Sequence, residues 1–112
     1  MQDFDNGMVI KELAPPEFFL SQNYPNPFSE KTVIKYCVAY KTRVQISVYN
    51  TEGEEIKKLV DEEKNPGTYE VEFSAEGGSV SGGNAYSLPS GIYFYQLKAG
   101  DYTKTKKMVL MK

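Results

Sequence analysis

Hydrophobic side chains alternate with polar ones along most of the chain after residue 31. A period of two places every second side chain on the same face of a β-strand, so the alternation predicts strands with one face on a hydrophobic core. Residues 54–60 are less regular, but their β-branched residues favour a strand over one helical turn. The alternating core positions are Ile34, Tyr36 and Val38; Val44, Ile46 and Val48; Tyr69, Val71 and Phe73; Tyr93, Tyr95 and Leu97; and Met108 and Leu110.

Turn-forming residues separate the predicted strands, at Asn50-Thr51-Glu52-Gly53, Asn65-Pro66-Gly67 and Ala99-Gly100-Asp101. Gly53 stands where such a turn needs a positive φ. Strands are expected near residues 17–21, 32–39, 43–50, 54–60, 67–74, 91–98 and 102–111. Short strands with turns about every 8–12 residues, and no long helical pattern, predict an all-β fold, an antiparallel β-sandwich of about seven strands.

Two segments interrupt this pattern. Residues 1–16 are rich in Asp, Asn and Gly and end in Pro15-Pro16, so we expect a linker there and a folded domain over residues 17–112. Residues 75–84 are rich in Gly and Ser and predict a mobile surface loop between two strands.

A proline-rich segment precedes the second predicted strand. Pro25 and Pro27 restrict the backbone and predict a stiff, extended lead-in. The side chains of Asn23 and Asn26 are expected to bond nearby backbone groups and hold the turn. Gly91, which opens a later strand, is expected to need a backbone geometry or a close approach that a Cβ atom forbids.

The composition narrows the function classes. With 112 residues the chain has the size of one domain, and its net charge of −2 argues against nucleic-acid binding. The absence of His excludes Ser-His-Asp and Cys-His catalysis and imidazole metal ligation. Cys37 is the only cysteine, so no intrachain disulfide can form. We expect its side chain to pack as a small, buried or half-buried hydrophobic group. No apolar run approaches the roughly 20 residues of a membrane helix.

Candidate catalytic chemistry is sparse. The acidic runs Glu54-Glu55 and Asp61-Glu62-Glu63 are interpreted as a charged exterior, because adjacent strand residues point to opposite faces. No nucleophile–base pair, metal set or phosphate-binding glycine motif can be assembled, so we expect no enzyme and no cofactor. Exposed aromatic rings can stack on sugars, although core or cross-strand packing explains these residues better. The outward or loop aromatic candidates are Tyr40, Tyr49, Tyr86, Phe94 and Tyr102.

The last predicted strand and the residues after it carry several lysines among hydrophobic residues, over Lys104–Lys112. In one interpretation this is simply the final strand of the sandwich. In the other, an exposed terminal strand is a handle for another protein, through edge pairing or charge. The spacing leaves both interpretations open.

Several motifs follow one another in a fixed order. They are Leu20-Ser21-Gln22-Asn23-Tyr24-Pro25-Asn26-Pro27-Phe28 with Thr32-Val33-Ile34-Lys35-Tyr36, Val48-Tyr49-Asn50-Thr51-Glu52-Gly53, Pro89-Ser90-Gly91-Ile92-Tyr93, and Lys107-Met108-Val109-Leu110-Met111-Lys112. Together they closely resemble the C-terminal sorting domain of type IX (Por) secretion system cargo, type A, over about residues 18–112. The chain departs from that family in a longer Gly/Ser stretch at residues 75–88, which resembles the related immunoglobulin-like domain of the flagellar hook-capping protein. It also has Phe73 where the family often carries Trp.

The resemblance implies a non-catalytic sorting module with an immunoglobulin/fibronectin-III-like sandwich. Such a module directs a covalently linked N-terminal passenger through the periplasm and across the outer membrane, so the cargo is secreted or held at the cell surface. The implied partners are the type IX machinery and a sortase-like protease that cuts the linker within residues 1–20. The implied recognition residues are Asn23, Tyr24, Pro25, Asn26, Pro27, Phe28, Gly91 and Tyr93, with Lys104, Lys106, Lys107 and Lys112 as charged contacts.

Two alternatives remain open at this point. The chain is also compatible with an accessory carbohydrate-binding sandwich of a cell-surface enzyme. A further alternative is a structural immunoglobulin-like spacer or an assembly module like the hook cap, for which the last strand would be dispensable for secretion.

Overall fold

The structure, a computed structural model, describes residues 15–77 and 86–112. The described residues form nine β-strands and contain no helix, and so none that could cross a membrane. The strands are β1 (Phe19–Leu20), β2 (Lys31–Val38), β3 (Thr42–Tyr49), β4 (Glu55–Lys64), β5 (Gly67–Ser74), β6 (Glu76–Gly77), β7 (Tyr86–Ser87), β8 (Gly91–Ala99) and β9 (Tyr102–Leu110).

Two antiparallel sheets make up the body of the domain. One has three strands in the order β1-β2-β5, and the other has four strands in the order β4-β3-β8-β9. The short strands β6 and β7 pair only with each other. The predicted antiparallel sandwich of about seven strands is therefore confirmed, with β6 and β7 as an additional hairpin.

The core lies between the inner faces of the two sheets, where the alternating residues meet. Ile34, Val44 and Leu97 are fully buried, as the period of two predicts. Phe73 is fully buried as well, and its ring meets that of Phe28 edge-on at 6.1 Å. Of the alternating positions, only Tyr69 and Val71 are half-buried, because β5 is an edge strand of the three-stranded sheet.

Strand β4 confirms the choice of strand for residues 54–60 and extends it to Lys64. The acidic run lies on this edge strand, and each of its carboxylates meets a cationic side chain. Arg43 pairs with Asp61 at 2.8 Å, while Glu62 and Glu63 pair with Lys64 and Lys41. The run is thus a charge-paired exterior.

The three predicted turns all separate strands in the structure. In the first, Gly53 has a φ of 86°, and the side-chain oxygen of Asn50 accepts hydrogen bonds from the backbone N–H groups of Glu52 and Glu54. That backbone conformation favours Gly because it has no Cβ. The expected role of Gly53 is confirmed.

The Gly/Ser-rich stretch is only partly described. At its start the prediction of a surface loop is wrong, because Ala75 is fully buried. Its N–H donates to the carbonyl of Glu30, and its own carbonyl accepts from the N–H of Leu88. These bonds tie both ends of the stretch to the sandwich. Residues 78–85 lie outside the described residues, as do residues 1–14 of the predicted linker.

Candidate functional site at the edge of strand β9

Residues Gln22–Phe28, which we call the clasp, lead from β1 towards β2. The predicted extended lead-in is wrong, because the chain bends at residues 25–27. Both X-Pro bonds of the clasp, Tyr24–Pro25 and Asn26–Pro27, are cis. Tyr24 exchanges two backbone hydrogen bonds of 2.9 Å with Val33, which fixes the segment against β2.

Asn23 holds the bend of the clasp from inside. Its side chain is buried, and its Nδ2 donates to the carbonyl of Pro25 at 3.1 Å and to Oγ1 of Thr32 at 2.9 Å. The Thr32 hydroxyl donates to the same carbonyl. The expected local bonding of Asn23 is confirmed, and the clasp is thereby joined to the start of β2.

Asn26 does not bond locally, so that prediction is wrong. Its Oδ1 accepts a hydrogen bond of 2.9 Å from the N–H of Val109, on the last strand. The side chain of Asn26 is therefore directed at β9 rather than back at the clasp.

The rest of the clasp continues this contact with β9. The N–H of Phe28 donates to the carbonyl of Val109 at 3.0 Å, and the carbonyl of Phe28 accepts from Met111 at 2.8 Å. The side chain of Gln22 donates to the carbonyl of Lys107 at 2.6 Å. The clasp therefore satisfies the outward-facing backbone groups at the end of β9, a role that sequence reasoning did not assign to Gln22.

The remaining clasp residues divide between the core and the surface. Phe28 is buried against Phe73, and Leu110 lies beside it through a parallel bridge. Tyr24, Pro25 and Pro27 are exposed, and Tyr24 keeps 80% of its surface accessible. Of these predicted recognition residues, only the three exposed ones present their side chains to a partner.

Gly91 and Tyr93 lie at the start of β8. Gly91 has a φ of 153°, and no other atom approaches the position of a Cβ within 4 Å, so its geometry rather than a close approach requires Gly. Tyr93 is buried, and its hydroxyl donates to the carbonyl of Pro89 at 2.7 Å. Burial raises the pKa of Tyr93. A hydroxyl bonded to the backbone a few residues upstream is the tyrosine corner of immunoglobulin-like sandwiches.

The side chain of Tyr95 joins the two sheets. Its ring is fully buried and its hydroxyl donates to the carbonyl of Ser21 at 2.6 Å. Burial raises the pKa of Tyr95 to about 12. The alternation predicted the buried ring, but a hydrogen bond spanning 74 positions has no local sequence signal.

The four candidate lysines fall into two groups. Lys104 and Lys106 stand in register with the buried residues Leu97 and Tyr95, on the core-facing side of the sheet edge. Lys107 stands in register with Phe94, on the outer side. Within residues 15–77 and 86–112, no carboxylate pairs with any of these three.

Lys112 has a different environment. Its Nζ donates to the hydroxyl of Ser87 at 2.6 Å and lies 4.0 Å from a carboxylate oxygen of Glu76. Its N–H donates to Ser90. The structure brings Lys104, Lys106 and Lys107 together on β9 but places Lys112 against the β6–β7 hairpin.

The aromatic candidates for sugar stacking do not form one platform. Tyr49 and Phe94 are half-buried neighbours in register on β3 and β8. Tyr40 and Tyr102 both contact the ring of Phe18, at centroid distances of 4.9 and 5.8 Å. The side chain of Tyr86 lies outside the described residues.

The described part of the chain holds no group of three or more Cys, Asp and Glu side chains placed to bind a metal ion. Cys37 is half-buried, as expected, with its sulfur 3.7 Å from the hydroxyl of Thr68.

Comparisons with known proteins agree with this architecture. A family model described as the secretion system C-terminal sorting domain matches residues 22–111. The fold is also similar to part of the crystal structure of dimeric latent PorU from Porphyromonas gingivalis, with a TM-score of 0.60 and 14% sequence identity. That match covers 84% of this chain and 9% of PorU, and at this identity it supports the fold alone. No curated protein matches the chain.

Proposed function

The chain belongs to the family of secretion system C-terminal sorting domains, and from this premise we propose how it serves a larger cargo protein. Domains of this family are type IX export signals, and cargo that carries one reaches the cell surface or the outside of the cell. In the proposal, residues 1–16 are the linker to a covalently attached passenger, and residues 17–112 are the non-catalytic module that the outer-membrane machinery recognises.

The pairing of the clasp with β9 carries the proposal. The family match begins at Gln22 and ends at Met111, and both residues take part in this pairing. The two ends of the matched sequence therefore form one surface, which exists only in the folded chain. This supports a signal that is read as a folded domain rather than as a linear peptide.

Within that surface we assign two kinds of role. Asn23, Asn26, Phe28 and Tyr93 hold the surface in shape through the contacts described above, and Gly91 does so through its backbone geometry. The contacts to the machinery come from the exposed residues Tyr24, Pro25, Pro27, Lys104, Lys107 and Lys112 and from the half-buried Lys106. Three lysines without a carboxylate partner among the described residues favour an acidic surface on the machinery.

A sortase-like protease then separates the passenger from the domain in this scheme. From Phe18 onward the chain is packed, because Phe18 contacts two rings and Leu20 is buried. A protease needs an extended, accessible backbone, which supports cleavage on the N-terminal side of Phe18.

A secretion assay tests the proposal. Residues 1–112 are fused behind an export signal and a fluorescent reporter, and the fusion is expressed in a type IX-competent bacterium and in a mutant without the translocon. We expect reporter in the medium or on the surface of the first strain only, shortened by the mass of the domain. Reporter retained in the periplasm of both strains, with the domain intact, would contradict the proposal.

Two variants sharpen this assay. Phe73→Asp places a charge in the core and unfolds the domain, so it should abolish export if the folded surface is the signal. Glu72→Lys changes an exposed neighbour on the same strand and should leave export intact. Export of the unfolded Phe73→Asp variant at the wild-type level would show that a linear peptide is sufficient.

A further inference from the structure

Strand β9 is an edge strand whose outer edge is closed along only half of its length. Residues 107, 109 and 111 face outward, because their backbone groups bond the clasp. The pairing with β8 runs without a register shift from Tyr102 to Leu110. Because backbone direction alternates along a regular strand, Thr103 and Thr105 also point their N–H and C=O groups outward.

No described residue pairs with this second half of the edge. The strand order ends at β9, and the hydrogen bonds from the clasp to the backbone of β9 stop at Lys107, where the donor is the side chain of Gln22. Thr103, Lys104 and Thr105 are exposed. Tyr102 and Lys106 are half-buried, and the ring of Tyr102 stacks against Phe18. Tyr102–Lys106, which we call the open edge, is thus an unpaired template for another strand.

Charge determines which strand fits the open edge. Lys104 and Lys106 flank Thr105 and would stand at the closely spaced, non-hydrogen-bonded positions of an added antiparallel strand. A second copy of β9 would bring lysines opposite lysines, which is unfavourable. An added strand with Asp or Glu at those two positions would bring opposite charges together.

We propose that the open edge of β9 accepts a short, acidic, extended segment of a partner protein as an additional strand. This deepens the proposed function and rests on it, since the partner is the part of the secretion machinery that reads the domain. The clasp sets the limit of the docking site, because it already occupies the outward groups from Lys107 onward. Lys104 and Lys106 therefore repel a second copy of β9 and attract the acidic strand.

A peptide-binding experiment on the whole 112-residue chain tests this docking. The probe is a short synthetic peptide that alternates Glu with Val, and the control peptide alternates Lys with Val. Addition of the Glu peptide should slow amide hydrogen exchange at Thr103 and Thr105, with no change on β4 at the opposite edge of the sheet. Binding should weaken with salt. Binding that leaves the exchange of both threonine amides unchanged would overturn the proposal.

Charge reversal supplies the matched variants. Lys104→Glu with Lys106→Glu should weaken binding of the Glu peptide by about tenfold or more and create binding of the Lys peptide. Lys31→Glu with Lys58→Glu makes the same charge change on β2 and β4 and should leave Glu-peptide binding within about twofold. Equal losses of Glu-peptide binding in the two double variants would show that net charge alone explains the effect, and would overturn the proposed site.

A backbone variant separates strand addition from charge alone. Thr105→Pro removes one outward N–H, and proline is tolerated on an edge strand with that orientation. Thr105→Val keeps the N–H and controls for the lost hydroxyl. Only the proline variant should lose peptide binding, while both keep wild-type thermal unfolding. Full binding by a folded Thr105→Pro variant would overturn strand addition.

The same variants in the secretion assay distinguish this inference from the proposed function. If the wild-type fusion is not exported, the proposed function fails. If the wild-type fusion is exported and the Lys104→Glu, Lys106→Glu variant is exported equally well, the function stands and the docking site on the open edge is wrong. Loss of export in that variant, with export kept in the Lys31→Glu, Lys58→Glu control, is the expected result.

Discussion

At the scale of single residues, the hydroxyl of Tyr95 makes a contact that links the two sheets, although the residue lies in a hydrophobic strand. It is the donor of a 2.6 Å hydrogen bond to the carbonyl of Ser21, in a region where the ring is fully buried. Ser21 is half-buried, and a carbonyl shielded from water that loses its donor keeps a cost of desolvation without the bond. The bond therefore secures the chain between β1 and the clasp to the opposite sheet.

Tyr95→Phe should lower the free energy of unfolding by about 1–3 kcal/mol, because it leaves the Ser21 carbonyl without this donor. Denaturant unfolding followed by circular dichroism measures the change. Tyr24→Phe is the control. Because the side chain of Tyr24 is exposed, loss of its hydroxyl should change the free energy of unfolding by no more than about 0.5 kcal/mol. Equal stability of the two variants would mean that the Ser21 bond contributes nothing.

The same residue makes a prediction about alkaline pH. The pKa of Tyr95 is raised by burial from 10.0 to about 12, and burial also raises the pKa of Tyr36. A group whose pKa is higher in the folded state stabilises the fold below its unfolded pKa and loses that contribution as pH rises. Stability should fall between pH 10 and 12, and less steeply in Tyr95→Phe. Unfolding curves across this range check the slope, and identical slopes would contradict it.

Asn26 tests the link between the clasp and β9. Asn26→Ala should accelerate hydrogen exchange at the amide of Val109 and cost about 1 kcal/mol of stability, because that amide loses its acceptor. Asn26→Asp retains a side-chain oxygen and should keep most of the protection. Unchanged exchange at Val109 in the alanine variant would show that the bond is not maintained in solution.

At the scale of elements, the period of two was sufficient to find the strands. β2, β3 and β8 have fully buried residues at the predicted positions, since burial on one face of a strand leaves a local signal in the sequence. The pattern predicts a fourth strand near residues 54–60, whereas β4 continues to Lys64 and carries the charged residues 61–64 at the edge of the sheet. The alternation reports burial on one face of a strand. It therefore underestimates the length of strands that lack a strongly buried face.

The pairing of the clasp with β9 left no such signal. Asn23 and Asn26 are the same residue type three positions apart, and the same reasoning assigned both to local turns. Asn23 bonds two residues away, whereas Asn26 bonds 83 residues away. Local preference describes what a side chain can bond to, while only the tertiary path decides which group lies within reach. For the same reason the motifs could be identified by resemblance, but their joint surface could not.

Substitutions on the two faces of β9 near the clasp should differ in their effect on stability. Met108→Ala should destabilise the domain by about 2–5 kcal/mol, because the side chain is fully buried. Lys107→Ala should change stability by about 0.5 kcal/mol or less, because its side chain is exposed and its clasp contact uses the backbone carbonyl. Thermal unfolding of both variants tests the assignment. A deletion of residues 107–112 would remove Met108 and Leu110 together, so it tests folding rather than recognition.

At the scale of the whole molecule, β9 lies beside both ends of the segment that leads into the domain. Phe18 stacks against Tyr102 at the first residue of β9, and Phe28 bridges to Leu110 at its last. The segment from Phe18 to Phe28 thus contacts both ends of β9, and the open edge lies between these two contacts. The contacts of Phe18 with Tyr40 and Tyr102 mark where the packed part of the described chain begins.

This arrangement predicts where the packed domain resists a protease. Thermolysin, which cuts before large hydrophobic residues, should leave the bonds before Phe18, Phe19 and Leu20 intact, because the Phe18 ring is held by Tyr40 and Tyr102. Phe18→Ala removes both ring contacts and should open the bond before Phe19 to cleavage. Tyr24→Ala is the matched control, since it removes an exposed aromatic ring and should leave the pattern unchanged. Mass spectrometry of the resistant fragment reads the boundary. Cleavage of the wild-type chain between Phe18 and Phe28 would mean that the packed domain begins later, and that the proposed processing is not confined to residues before Phe18.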